Sequence, residues 1–193
     1  MKAQRIILGI DPGSRHTGFA LLTSAGSSFR ATACDTIHTN DIEDHMERLR
    51  VIYRSIKELL SVHKPTHCAV ETPVYGVDPL AMLKLGRAQA AAILAITNQG
   101  IPVSEYYPKA VKKSVTGNGN ASKKQVAFML EKLVQLPSNR LSADATDALA
   151  VAWCHQMHLD RPSSAANSKS YYQNNRKSDW AAFIENNPDR VSS

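Results

Sequence analysis

The run Arg5-Ile6-Ile7-Leu8-Gly9-Ile10 is short and mostly apolar, and it ends abruptly at Asp11-Pro12-Gly13. That is the pattern of a buried strand entering a tight turn. Pro12 biases Asp11 away from helical geometry, and Pro12-Gly13 fits the two central positions of a type II turn. A carboxylate is thereby fixed at the C-terminal edge of a sheet. Thr17 to Thr23 and Phe29 to His38 are also strand-length, and Gly26-Ser27-Ser28 between them is hairpin chemistry. The first three strands are expected to form an antiparallel meander.

From Asp41 to His63, residues Ile42, Met46, Leu49, Ile52, Ile56 and Leu60 recur at helical spacing, and Pro65 closes the segment. Cys68-Ala69-Val70-Glu71 reads as a second buried strand, again ending on an acid. Leu80 to Gln99 is Ala-rich and apolar around much of its circumference. It predicts a helix buried on two sides, the second side covered by another subunit, with Gly100 as its stop. Ile101 to Tyr106 is a further strand. Ser122-Lys123-Lys124-Gln125 has the form of a capping box opening a helix to Val134, and a last helix runs from Ser142 to Met157. The order β-β-β-α-β-α-β-α-α predicts an α/β fold, a mixed central sheet flanked by helices.

This domain is expected to span 1–159. Over 160–193, Ser, Asn and charged residues crowd out aliphatics, which predicts a polar, disordered C-terminal tail with one docking element at most, Trp180 to Ile184. Apolar residues make up 43% and charged residues 21%, excluding fibrous classes and wholesale disorder. The N-terminus lacks a signal-peptide layout, and no apolar run approaches the roughly 20 residues of a membrane span. A cytoplasmic protein without a membrane partner is expected. Cys34, Cys68 and Cys154 are scattered and odd in number, so they suggest neither a disulfide framework nor a zinc site. With 23 basic against 17 acidic residues, the net charge of +6 favours a polyanion, nucleic acid first.

Most acids here belong to patterned helix faces, but four do not. Asp11 and Glu71 end apolar strands, and acids are rarely set there unless paired or bound to a cation. Neighbouring strands would turn both toward one crevice. Asp144 and Asp147 lie in an otherwise apolar helix, three residues apart and so on one face. Carboxylates gathered without a matching run of Lys or Arg require cations, and oxygen-only ligation selects Mg²⁺ or Mn²⁺. Four negative charges balance two divalent ions, an arrangement suited to hydrolysing a phosphodiester. His155 and His158 are read as a solvated helix end.

The segment Ile7 to Gly18, the Glu71 strand end, Leu83-Lys84-Leu85-Gly86-Arg87-Ala88, Val111-Lys112-Lys113 through Gly117, and Ala143 to Ala150 together resemble the RuvC family of crossover junction endodeoxyribonucleases. The resemblance implies an RNase H-like fold and a homodimer. It also implies Mg²⁺-dependent paired nicking of four-way (Holliday) junction DNA in recombination and repair, in concert with RuvA and RuvB. Asp11, Glu71, Asp144 and Asp147 match the family's catalytic metal-binding carboxylates. Lys112 and Lys123 match its functional lysines, and Lys124 is a neighbour suited to phosphate contacts. The family tends to carry an aromatic residue shortly after the glutamate that engages junction bases. Val74 stands at that position here, and Tyr75, one residue later, is the candidate.

Two other readings share these features. An RNase H-like nuclease acting on RNA would use the same carboxylates, and a non-catalytic branched-DNA module would explain the charge. Two actin-like ATPase lobes would need a longer chain.

Overall fold

A computed structural model describes residues 4–26, 28–74, 76, 78–138 and 140–160. Tyr75 and the tail beyond Asp160 lie outside the described residues. The elements are β1 (Arg5–Asp11), β2 (His16–Ala25), β3 (Ser28–His38), α1 (His45–His63), β4 (His67–Glu71), α2 (Pro79–Thr97), β5 (Val103–Tyr106), α3 (Pro108–Thr116), α4 (Lys123–Leu133) and α5 (Ala143–Leu159). The sheet order is β3-β2-β1-β4-β5. β1, β2 and β3 form the expected antiparallel meander, while β4 joins β1 and β5 joins β4 in parallel.

Strand alternation sorts the core into two halves. Ile7 and Ala69 face α5 and pack with Val111, Val126, Leu130 and Leu149. Leu8, Ile10, Cys68 and Val70 face the other way, onto Ile52, Ile56, Ala92 and Ile96 of α1 and α2. Each fully buried aliphatic among these contributes roughly 1.5–3 kcal/mol. The same alternation decides where the acids go. Asp11 follows Ile7 and Gly9 on the α5 face, and Glu71 follows Ala69.

α5 lies very close to the sheet because two strand residues lack side chains. A Cβ built on Gly9 would stand 2.2 Å from the Ala148 carbonyl oxygen, and one on Gly18 2.1 Å from that of Asp144. Backbone therefore meets backbone where β1 and β2 cross under the first turns of α5.

The structure departs from the sequence reading in three places. α3 is a tenth element, capped by Pro108 in its first turn and by Gly117 in left-handed geometry (φ 78°). α1 begins at His45 because the Asp44 side chain accepts from the amides of Met46 and Glu47. α2 buries Ala88, Ala92, Ala95 and Ile96 on one side, and Leu80, Leu83 and Leu94 stand open on the side that the sequence reading gives to another subunit. Finally, α2, at 19 residues, is long and apolar enough to span a bilayer, although no unbroken apolar run in the sequence is that long. Lys84 and Arg87 interrupt its run in sequence, yet a helix-long average tolerates two charges. Here the helix packs on α1 and the sheet.

Candidate active site

The parallel register Ile10↔Val70 carries β1 and β4 forward side by side, so their last residues, Asp11 and Glu71, emerge as neighbours. Thr17, fully buried, donates from Oγ1 to the Gly13 carbonyl at 2.7 Å and ties down the turn that follows Asp11. Asp11 pairs across the antiparallel ladder with Gly18, the residue on which the Asp144 carbonyl rests. The start of α5 is held from two further directions. Ser142 caps it by accepting from Ala145 N at 3.1 Å, and its hydroxyl also meets Thr36 Oγ1 of β3 at 2.8 Å. Asp144 in the first turn and Asp147 one turn later then face the strand ends.

These placements produce strong coupling. Burial, reinforced by the Asp147 and Asp144 carboxylates, pushes Asp11 up to about 6. Burial, with Asp11 and Asp147 nearby, pushes Glu71 up to about 8. The two side chains lie close enough for their interaction to favour a proton on Glu71, the weaker acid, over Asp11. One cation answers this charge. Lys123, first residue of α4 and set by the Ser122/Gln125 capping box, places Nζ 2.5 Å from Asp147 Oδ2. Its ammonium is held above its ordinary value by Asp147, and Asp11 and Asp144 act in the same direction.

All four predicted carboxylates and Lys123 are thus brought together. Lys124 follows on α4 and lines a cavity reaching Asp147. Lys112 is half-buried on α3 and makes no ion pair with the carboxylates.

A family model described as crossover junction endodeoxyribonuclease RuvC matches residues 7–155. The chain belongs to the RuvC family. The RuvC of Salinibacter ruber is 48% identical over 187 residues, spanning 97% of this chain and 99% of that protein. The RuvC of Porphyromonas gingivalis is 37% identical, spanning 97% of both. Among solved structures, Thermus thermophilus RuvC in complex with a Holliday junction substrate superposes with a TM-score of 0.74 at 29% identity, covering 80% of this chain and 94% of that one. A yeast mitochondrial Holliday junction resolvase shares the fold alone, with a TM-score of 0.61 at 13% identity over 80% of this chain and 81% of that one.

Metal-dependent catalysis comes with RuvC membership, and the donor chemistry of this site fits it. Four carboxylates offer oxygen ligands only, and the raised proton affinities of Asp11 and Glu71 mark a site short of positive charge. Among the described residues, the acids do not form a closed ligating cluster.

Sequence reasoning missed three features of this RuvC chain. Gly18 carried no sign that α5 would rest on it. The pairing of Lys123 with Asp147 joins helices whose packing spacing alone does not give. His155 is not at a solvated helix end: it is 3% exposed and its Nδ1 shares a hydrogen bond with the Tyr106 hydroxyl at 2.7 Å. Burial, with His67 and His158 nearby, pushes its pKa down to about 4. Buried histidines are common on helices pressed against a sheet, and the Ala-rich stretch before it was the available hint.

Proposed function

We propose that the chain resolves four-way DNA junctions by paired, symmetric hydrolysis of phosphodiester bonds, with Asp11, Glu71, Asp144 and Asp147 holding two Mg²⁺ ions, or Mn²⁺ in their place. The observation that carries this reading is the convergence of four acids from three elements, two of them with strongly raised proton affinity, beside one lysine. Bound there, divalent cations would supply the Lewis acidity and charge neutralisation that phosphodiester cleavage needs. The protein's part is positional. β1 and β4 fix one pair of carboxylates, α5 fixes the other, and the Gly18 contact sets the distance between the pairs. Lys123 stands where a phosphate oxygen would approach the acids, and it exchanges Asp147 for that oxygen.

Lys112, Lys123 and Lys124 hold backbone phosphates in this reading, and Tyr75 stacks on junction bases. A homodimer places one site on each of two symmetry-related strands. The apolar face of α2 is its natural seam, with Leu80 68%, Leu83 50% and Leu94 55% exposed. RuvA and RuvB are the partners implied by family resemblance, the DNA substrate sets the work in the cytoplasm, and residues 1–159 form the nuclease domain ahead of a polar tail.

The deciding experiment is cleavage of an end-labelled mobile four-way junction with Mg²⁺ or EDTA, beside linear duplex and an RNA–DNA hybrid. Paired symmetric nicks on the junction alone, lost in EDTA and in Asp144→Asn while junction binding persists, are expected. Cutting of the hybrid instead would move the chain to the ribonucleases.

A further inference from the structure

Beside the carboxylates, on the flank of α5 turned toward α4, lies a cavity of about 340 Å³. That is within the range of roughly 300–1,000 Å³ typical of ligand sites. Its walls come from α4, from Leu136, Arg140 and Leu141, and from the start of α5. The interior is aliphatic, with Ala127 and Leu141 as its accessible surfaces over the buried Leu130 and Leu149. The mouth is polar and mostly cationic. Lys124 and Arg140 stand there with no ion pair among the described residues, against the single acid Glu131. Lys123 and Asp147, already paired with each other, form the rim shared with the active site. At the far wall, Thr146 Oγ1 donates to Ser142 O at 2.8 Å and keeps its oxygen as an acceptor.

A cavity with an aliphatic interior, a hydroxyl on its wall and a cationic mouth, continuous with a site for phosphodiester cleavage, has the profile of a nucleotide: the apolar faces of a flat base inside, its phosphate outside. We infer that this cavity receives the unstacked base of the nucleotide next to the scissile phosphate, with Lys124 and Arg140 on that nucleotide's phosphate. The inference rests on the junction-resolving reading above. Branched DNA suits it, because a base at a branch point has already lost part of its pairing and stacking and is the least costly to extrude. Arg140 and the interior of the cavity are then determinants of where the strand is cut, separate from the acids that cut it.

The test uses the full chain and four-way junctions carrying 2-aminopurine singly at each position flanking the nick, bound in Ca²⁺ so that cleavage does not proceed. One position is expected to brighten severalfold on binding as its base leaves the stack. Ala127→Phe, which fills the cavity, should abolish that rise and increase KM with little change in kcat. Arg140→Glu, on the exposed rim, should weaken junction binding without altering Mg²⁺ dependence. Arg140→Ala should lower the slope of log K against log salt by about 0.9, one phosphate's worth. Absence of brightening at every position, or an unchanged rise and KM in Ala127→Phe together with unchanged binding in Arg140→Glu, would overturn the assignment. The two readings fail differently. If the wild-type chain leaves unmodified junctions intact in Mg²⁺, the resolvase reading falls. If it cleaves them while these variants behave as wild type, only the cavity assignment falls.

Discussion

Gly18→Ala adds one methyl group, yet it strikes a contact that spaces the two halves of the site. The new Cβ would stand 2.1 Å from the Asp144 carbonyl oxygen and 3.1 Å from the Asp144 Cβ, where ordinary contact begins at 3.4 Å. Both atoms are part of the helix or fixed to it, so no side-chain rotation relieves the clash. The first turn of α5 has to retreat by about 1.3 Å, carrying Asp144 and Asp147 away from Asp11, which is the ladder partner of Gly18. A displacement of about 1 Å at a catalytic group costs on the order of 100-fold in rate. Overpacking of this kind costs about 1–3 kcal/mol of stability. Nicking of a four-way junction should therefore fall about 100-fold at saturating Mg²⁺, with the half-saturating Mg²⁺ concentration raised. Junction binding in Ca²⁺ should stay within a few-fold, because Lys112, Lys123 and Lys124 stand on α3 and α4 and not on the first turn of α5. A folded Gly18→Ala variant nicking within twofold of wild type at unchanged Mg²⁺ dependence would refute this geometry.

Other expectations follow from the same coordinates. Asp11 and Glu71 are raised from ordinary values of 3.8 and 4.5 to about 6 and about 8. A raised carboxylate destabilises the fold once the unfolded chain ionises, so the metal-free protein should lose stability between about pH 4 and pH 8; the rise in Tm on adding Mg²⁺ should be larger at pH 8 than at pH 5.5. His155 has the opposite window. Its folded value of about 4 lies below the ordinary 6.5, so stability is full above pH 6.5 and is lost as the pH falls toward 4, by roughly 3 kcal/mol. His155→Phe should flatten that limb in urea titrations at saturating Mg²⁺, and an unchanged slope would discount it. Leu83→Lys should yield monomers in sedimentation without lowering Tm. Lys123→Ala should lower the salt slope of junction binding by about 0.9.

The carboxylates were legible because an acid at the end of an apolar strand, or repeated every third residue in an apolar helix, violates burial rules that the rest of the chain obeys. The meander and the alternation of strand and helix were legible for the same reason: turn residues and periodicity are local. α3 escaped because only Val111 and Val115 are buried in its nine residues, too few to show a period. The burial of His155 and the role of Gly18 depend on how closely α5 approaches the sheet, which a one-dimensional pattern does not encode.

Ten of the seventeen residues of α5 are buried, and the same helix carries half of the acids. A mount so deeply embedded is a brake on evolvability. Any substitution beneath it that re-seats the helix is selected against twice, once for folding and once for turnover. Diversification of cut-site choice is therefore channelled into positions that do not bear on α5, such as Arg140 and the exposed side of α4. Selection for an altered cleavage preference should return changes there and leave the residues under α5 untouched.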